Sequence, residues 1–481
     1  MICYYAVPKS CVAARRYILM VFSFLFYACG EPIYFFAILF CVFITWAVSN
    51  GIANKKKFPY LIALAVNLVP LIIYKYLDFI ILNVNNVINY VLMGLNFGID
   101  LVLPVGADLI PLINIPPSNL VMPIGISFYT FQMLTYVIDL YRGEVKRQRN
   151  FGYLALYIFL FPQLIAGPIV RYQDVEVDIG RCNENWDSIK AGAARFIKGL
   201  AKKMLIANQV CYICDTITAN DLGTISVPMM WLAVLSYAIQ IYFDFSGYSD
   251  MAIGLGKMFG FEFLENFNLP YSSLSISEFW RRWHISMNTF FRDYIYIPLG
   301  GSRVSKGRWV FNTLVVWGIT GLWHGAAWNF IVWGLYYAVL LMMEKFFMGA
   351  VLKKIPKIFS WCYMFFFTLI GFSFFMHDSN SLADMFAFTF RLFGVGEVAN
   401  AVTVRSLELE AYIPYILVAL VFCLPTRNIF KKIFSALDNV KSKVFAIPYG
   451  IVCDAVYIVA FICCIGFVVG GSYNPFIYFR F

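Results

Sequence analysis

The segment Gly318-Ile-Thr-Gly-Leu-Trp-His-Gly-Ala-Ala-Trp-Asn329 places a histidine, His324, in a stretch that is otherwise almost continuously apolar. An ionisable side chain inside a membrane segment loses its hydration, so it needs a partner or a water-filled cavity nearby. A buried histidine is also often a hydrogen-bonded packing residue. Both interpretations are open for His324 taken alone, and the surrounding sequence has to distinguish them.

The composition of the chain indicates a membrane protein. Of its 481 residues, 61% are hydrophobic and 13% are charged, which is more apolar surface than a soluble domain of this size could bury. Because helices satisfy their own backbone in lipid, we expect an all-α polytopic membrane protein of about 10–13 transmembrane helices, plus re-entrant or interfacial helices. We also expect one membrane-embedded domain over residues 1–481. The apolar runs lie at 17–29, 33–51, 60–82, 121–140, 151–168, 226–245, 309–321, 326–344, 357–376, 412–426 and 445–471.

The formal net charge of +10 is better explained by topology than by nucleic acid binding. Lysine and arginine cluster in alternate loops between the apolar runs, as the positive-inside rule predicts for cytoplasmic loops. Residues 378–410 then form the longest outer loop, where a partner could dock. No Gly-rich phosphate loop or metal-ligand cluster is present in the sequence, so we expect neither nucleotide hydrolysis nor a metal.

A second unusual segment is SEFWRRWHISMNTFFRDY at 277–294. On a single helix Arg281, His284 and Asn288 share one stripe, Arg282 lies on the next, and aromatic residues cover the opposite face. Such a helix cannot cross lipid alone, since each arginine at mid-bilayer costs about 2.5–3.5 kcal/mol. It is expected to re-enter the membrane or line a cavity, or else to be an interfacial helix with snorkelling arginines.

A third polar segment is QIYFDFSGYSD at 240–250. On a helix Asp244 and Tyr248 share a face, which places a carboxylate near the end of an apolar span. A buried carboxylate needs a cation nearby, and Arg281 and Arg282 are the expected partners. Asp244 could equally be one member of a structural ion pair.

The position of His324 along its helix places it inside the membrane. A helix from Arg308 to His324 rises about 24 Å, less than the hydrocarbon thickness of about 30 Å. Thr320 and Trp328 would flank His324 on its own helical face, one turn before and one turn after. With several glycines nearby, the pattern indicates a histidine at a helix break that faces a polar passage.

Five segments together resemble the membrane-bound O-acyltransferase family, and in particular the membrane component of bacterial alginate O-acetylation. The resemblance covers a core at about 15–375, and 376–481 is expected to add the outer loop and further transmembrane helices. Relatives usually begin with one more apolar helix, whereas Pro8 and Arg15 follow closely on Met1 here. The segments are EFWRRWHISMNTFFRDYIYIPLGGSR at 278–303, LWHGAAWNF at 322–330, QIYFDFSGYSD at 240–250, MPIGISFYTFQMLTYVIDLY at 122–141 and FPQLIAGPIVR at 161–171.

The resemblance implies a ring of helices around a thinned centre with a tunnel, and it implies that His324 and His284 are the catalytic histidines. Acyl transfer needs a base that works near neutral pH, and imidazole suits that role. The remaining candidate residues are expected to position the histidines, line the tunnel or attract the donor's phosphates. They are Asp244, Asn288, Arg281, Arg282, Tyr248, Trp323 and Asn329.

The resemblance further implies a bacterial inner-membrane enzyme that uses acetyl-coenzyme A as acyl donor. It would O-acetylate a cell-envelope polysaccharide such as alginate, cellulose or peptidoglycan, together with an extracytoplasmic esterase-like partner protein. Three alternatives stay open: D-alanyl transfer to teichoic acid from a carrier protein, a transporter or channel, and a scaffold that anchors an outer enzyme.

Overall fold

The fold is built from helices. The computed structural model describes residues 1–102, 111–165, 167–376, 381–424, 446–470 and 475–476, and within these ranges no strand occurs. The all-α prediction is therefore confirmed. The helices are α1 Ile2–Ala6, α2 Val12–Gly30, α3 Pro32–Ala53, α4 Lys57–Leu71, α5 Leu77–Val102, α6 Ile126–Arg142, α7 Phe151–Phe159, α8 Phe161–Leu164, α9 Tyr172–Ile179, α10 Trp186–Ala201, α11 Asn208–Thr218, α12 Val227–Met258, α13 Ile276–Arg282, α14 Ile285–Phe291, α15 Lys306–His324, α16 Trp328–Met343, α17 Gly349–Leu352, α18 Lys357–Phe375, α19 Leu382–Arg391, α20 Ile413–Cys423 and α21 Ala446–Val469.

Six helical segments among the described residues are long and apolar enough to cross a membrane, as expected for a polytopic membrane protein. Two shorter apolar helices, Glu410–Cys423 and Asp454–Val469, follow near the C-terminus. The predicted total of 10–13 transmembrane helices stays a prediction. The six segments are Val12–Gly30, Pro32–Ala53, Lys57–Asn96, Val227–Met258, Trp328–Leu352 and Lys357–Phe375.

The segment at 277–294 differs from the single helix expected from its pattern. Helix α13 ends at Arg282, and His284 adopts a left-handed backbone conformation (φ 46°, ψ 55°) before α14 begins at Ile285. The predicted single stripe of polar residues is therefore wrong. The side-chain amide of Asn288 bridges the break between α13 and α14. Its Nδ2 donates to the carbonyl oxygens of Trp280 (2.6 Å) and Trp283 (2.6 Å).

Helices α10 and α12 pack against each other along most of their length because glycines line their contact. A Cβ at Gly192 would lie 2.6 Å from the carbonyl oxygen of Gly254, and one at Gly199 would collide with that of Gly247. Small residues at this spacing let two backbones approach closely in a membrane protein. The close approach brings the basic end of α10 against the acidic residues of α12.

A second glycine contact joins α15 to α16. A Cβ at Gly321 would collide with the carbonyl oxygen of Phe330, and one at Gly334 would collide with that of Trp317. The two helices consequently form a tight hairpin. Its turn, between His324 and Trp328, lies against α18 and within the main aromatic core.

Candidate active site

His324 is the last residue of α15, at the break predicted from the sequence. Gly325 is extended (φ −161°, ψ 153°) and α16 starts only at Trp328. Trp328 is therefore not one helical turn beyond His324, as a continuous helix would require. It is 38% exposed, and its Nε1 donates to Asn83 Oδ1 at 3.0 Å.

The imidazole of His324 is buried and surrounded by aromatic rings. It meets the rings of Trp323, Trp333 and Phe375 at centroid distances of 4.8, 4.8 and 5.1 Å, with interplanar angles of 67°, 82° and 81°. These edge-to-face contacts fix the plane of the ring. An orientation defined in this way, in surroundings that exclude water, suits a group that must transfer a proton without competing hydrolysis.

His284 is fully buried at the break between α13 and α14. Its Nδ1 lies 3.1 Å from Oδ1 of Asn266, and the same oxygen accepts hydrogen bonds from the hydroxyl and the backbone N–H of Ser286. Asn266 Nδ2 in turn donates to Ser249 Oγ at 3.1 Å, which supports this orientation of the amide. Because an amide oxygen only accepts, Nδ1 of His284 carries the proton and Nε2 carries the lone pair.

Both histidines lie next to Trp323. The indole ring is 5.8 Å from the His284 ring and 4.8 Å from the His324 ring, centroid to centroid. Two segments that are 40 residues apart in sequence thus meet at one buried tryptophan. Asn329 is also buried nearby, and its Nδ2 donates to the carbonyl of Phe374 at 3.4 Å.

Asp244 and Tyr248 lie on α12, away from the arginines of α13. Asp244 Oδ1 pairs with Lys203 Nζ at 2.8 Å, so its expected pairing with Arg281 or Arg282 is wrong. Glycine packing between α10 and α12 brings that lysine to Asp244, a proximity that no helical periodicity shows. The ring of Tyr248 packs 5.0 Å from that of Phe476.

The arginines of α13 have different surroundings. Arg282 pairs with Glu278 at 2.6 Å and its Nη1 donates to Ser272 Oγ at 3.3 Å, so it links α13 to the segment that precedes it. Arg281 is exposed and lines a cavity, together with Asn288.

This cavity of about 740 Å³ lies between α13, α15 and the end of α16. Five basic residues but only two acidic ones, Glu278 and Glu344, are among its lining residues. Its inner wall includes Thr313, Trp317 and Thr320 of α15, and Thr320 is one helical turn before His324. His324 itself does not line the cavity. The basic residues are Arg281, Arg292, Lys345, Lys353 and Lys357.

Several residues at the site were not singled out from the sequence. Asn266, in a loop, and Lys203, in the π-helical turn Lys202–Ala207 between α10 and α11, carry no signal of their own because polar residues are common in such positions. Lys75 had a detectable signal, since it is a charged residue within the apolar run 60–82. No group of three or more metal-ligating side chains occurs in the described ranges.

The chain is similar in sequence to a known protein family and to several known proteins. The profile of the membrane-bound O-acyltransferase family matches residues 146–377, which include both histidines. The chain is 40% identical over 291 residues to "Probable alginate O-acetylase AlgI" of Azotobacter vinelandii, covering 60% of this chain but only 57% of that relative. It is 36% identical over 380 residues to the protein of that name from Pseudomonas putida, covering 77% and 73% of the two chains. It is also 33% identical over 392 residues to a peptidoglycan O-acetyltransferase of Helicobacter pylori, covering 74% and 70%.

Proposed function

Since the chain belongs to the membrane-bound O-acyltransferase family, we propose that it transfers an acetyl group from cytoplasmic acetyl-coenzyme A towards an extracytoplasmic polysaccharide. The chain is a multi-pass protein of the bacterial inner membrane, in agreement with its apolar helices and its relatives. The acceptor would be alginate or another cell-envelope glycan. An esterase-like partner outside the membrane would complete the transfer.

One observation carries the proposal: a basic cavity ends one helical turn from a buried histidine. Its five cationic side chains suit the phosphates of coenzyme A, because arginine and lysine form charge-assisted hydrogen bonds to phosphate oxygens. Its inner wall of tryptophan, valine and threonine suits the less polar arm that carries the thioester. A donor that enters here would place its acyl end towards Thr320 and His324.

In the proposed reaction His324 acts as general base. Its imidazole accepts the proton of an acceptor hydroxyl while the hydroxyl oxygen attacks the thioester carbonyl. The bond between the carbonyl carbon and sulfur then breaks, and the departing thiolate takes the proton back from the imidazolium. The products are the acetyl ester and free coenzyme A thiol, so that no further reactant is needed.

In this proposal the neighbouring residues orient the two histidines or stabilise the packing around them. Asn266 and Ser286 hold His284 in the tautomer whose Nε2 can accept a proton or a hydrogen bond. Trp323, which is buried next to both histidines, is proposed to exclude water from them. Asp244 is proposed to act through its ion pair with Lys203, which stabilises the packing of α12 beside the tunnel.

The lysines at the cavity entrance provide a test of donor entry. The double variant Lys353→Gln, Lys357→Gln should raise KM for acetyl-coenzyme A by about 3- to 10-fold, because long-range attraction of the phosphates is lost. For the same reason this KM should depend less on salt concentration than the KM of the wild type. The kcat should stay unchanged, since neither side chain reaches His324. Steady-state kinetics at two salt concentrations measure both effects.

The matched control for that pair is Lys190→Gln. Lys190 is an exposed lysine that pairs with Asp454 and does not line the cavity. Equal changes in KM for the control and the double variant would contradict donor entry through the cavity.

The proposed function is tested with the purified chain in lipid nanodiscs and acetyl-coenzyme A labelled in the acetyl group. We expect binding of the donor, and slow release of label that accelerates when a soluble acceptor glycan is added. Nanodiscs that hold heat-denatured chain are the control. A chain that neither binds nor cleaves the thioester would favour the scaffold. Transfer of labelled D-alanine from a carrier protein, with no transfer from acetyl-coenzyme A, would favour teichoic acid modification.

A further inference from the structure

Lys75 is a charged residue inside the candidate membrane span Lys57–Asn96. It lies in the π-helical turn Ile72–Tyr76, which joins α4 to α5 shortly after Pro70. Proline lacks a backbone N–H and disturbs the regular helical hydrogen bonds, and single π-turns of this kind often occur at functional sites. The turn directs two consecutive side chains, Lys75 and Tyr76, towards the end of α15.

Both side chains donate to the last backbone carbonyls of α15. Lys75 Nζ lies 2.6 Å from the carbonyl oxygen of Trp323 and 3.3 Å from that of His324. The hydroxyl of Tyr76 donates to the carbonyl oxygen of Leu322 at 2.9 Å. Lys75 Nζ is also 3.1 Å from Ser127 Oγ on α6.

These contacts satisfy backbone carbonyls at the end of α15. The final carbonyls of any helix have no partners within the helix, and here the chain breaks at Gly325 inside an apolar environment where water is scarce. A cation at this end also interacts favourably with the negative pole of the helix dipole. The helix end that carries His324 is therefore held by a different transmembrane segment.

We propose that Lys75 and Tyr76 are positioning residues that fix His324 for acyl transfer by holding the last three carbonyls of α15. The inference rests on the proposed function, because it assigns them to the reaction of His324. The hydrogen bonds that both side chains donate to α15 go to its backbone carbonyls. Their effect reaches His324 through its backbone, and a displacement of about 1 Å can cost roughly 100-fold in rate.

The alternative is a cap that only stabilises the fold, so the test must separate kcat from the amount of folded protein. Lys75→Met removes the cation, and we expect kcat per folded molecule to fall about 10- to 100-fold with KM for acetyl-coenzyme A within about twofold of wild type. Lys75→Arg keeps a cationic donor and should recover part of the loss. Tyr76→Phe removes one oxygen from a ring that otherwise keeps its shape, and should lower kcat about 3- to 10-fold.

The control is Tyr74→Phe, in the same π-helical turn. The ring of Tyr74 packs at 5.3 Å from that of Tyr34 and takes no part in holding α15, so kcat should not change. Should Lys75→Met fail to fold, the milder Tyr76→Phe still decides the question. Wild-type kcat in Tyr76→Phe, or a loss confined to the yield of folded protein, would overturn the inference.

The same experiment distinguishes this inference from the function on which it rests. If His324→Ala is inactive while the Lys75 and Tyr76 variants turn over normally, the positioning role of Lys75 and Tyr76 is wrong and the proposed acyl transfer still stands. If the wild-type chain itself turns over no acetyl-coenzyme A, the proposed function is wrong.

Discussion

Replacing His324 by alanine or by glutamine should lower acyl transfer by about 10²- to 10⁴-fold, the range that a positioned general base contributes. Glutamine fills a similar volume and can form hydrogen bonds, but it cannot take up a proton near neutral pH. The aromatic rings of Trp323, Trp333 and Phe375 should hold the glutamine side chain in the buried site, whereas alanine leaves a cavity among them. Turnover of labelled acetyl-coenzyme A per folded molecule, with melting temperature measured in parallel, checks the expectation.

His284→Gln is the matched comparison for that experiment. Glutamine could preserve the contact with Asn266, so we expect a smaller loss than at His324 if His284 orients the site without accepting the transferred proton. A His324→Gln variant that keeps most of its activity would mean that the imidazole only packs. That result would contradict the role of His324 as general base, whereas a wild-type chain without any turnover would favour a channel, a transporter or a scaffold.

Gly321→Ala should destabilise the protein by about 1–3 kcal/mol and strongly reduce its activity, because no space exists for a side chain. A Cβ at this position would collide with the carbonyl oxygen of Phe330 and approach Ile331 Cα to 3.2 Å. Both contacts are backbone, so α15 and α16 would have to separate. The helix end that carries His324 would move with them.

Gly318→Ala, on the same helix, is the control for that change. A Cβ at Gly318 meets nothing within 4 Å, so alanine should be neutral or stabilise the helix by about 0.5–1 kcal/mol. Thermal unfolding in detergent, followed by acyl transfer at low temperature, compares the two variants. Equal melting temperatures for Gly321→Ala and Gly318→Ala would contradict the glycine contact.

Much of the architecture was predictable because hydrophobicity is a local property. Helices α2, α3, α15, α16 and α18 coincide closely with predicted apolar runs, whereas α12 begins with the run 226–245 but continues to Met258. The break at His324 was predictable as well, since glycines and polar residues are concentrated there. The segment at 277–294 was not, because its pattern fits one amphipathic helix and nothing local indicates the left-handed residue His284.

The partners of the polar residues could not be predicted for a related reason. The residues that pair with Asp244, His284 and the end of α15 come from distant segments, namely Lys203, Asn266 and Lys75. Sequence periodicity shows which residues share a helical face but not which face they meet.

The amino-acid sequence alone thus determined the class of protein, the approximate helices and the choice of His324 and His284 as candidates, because burial in lipid and helical periodicity act on each segment separately. Only the tertiary structure decided that both histidines contact Trp323, that a basic cavity stops one turn short of His324, and that Lys75 holds the end of its helix. Those contacts depend on close packing between helices remote in sequence, and glycine positions such as Gly199 and Gly321 determine how near the backbones can come.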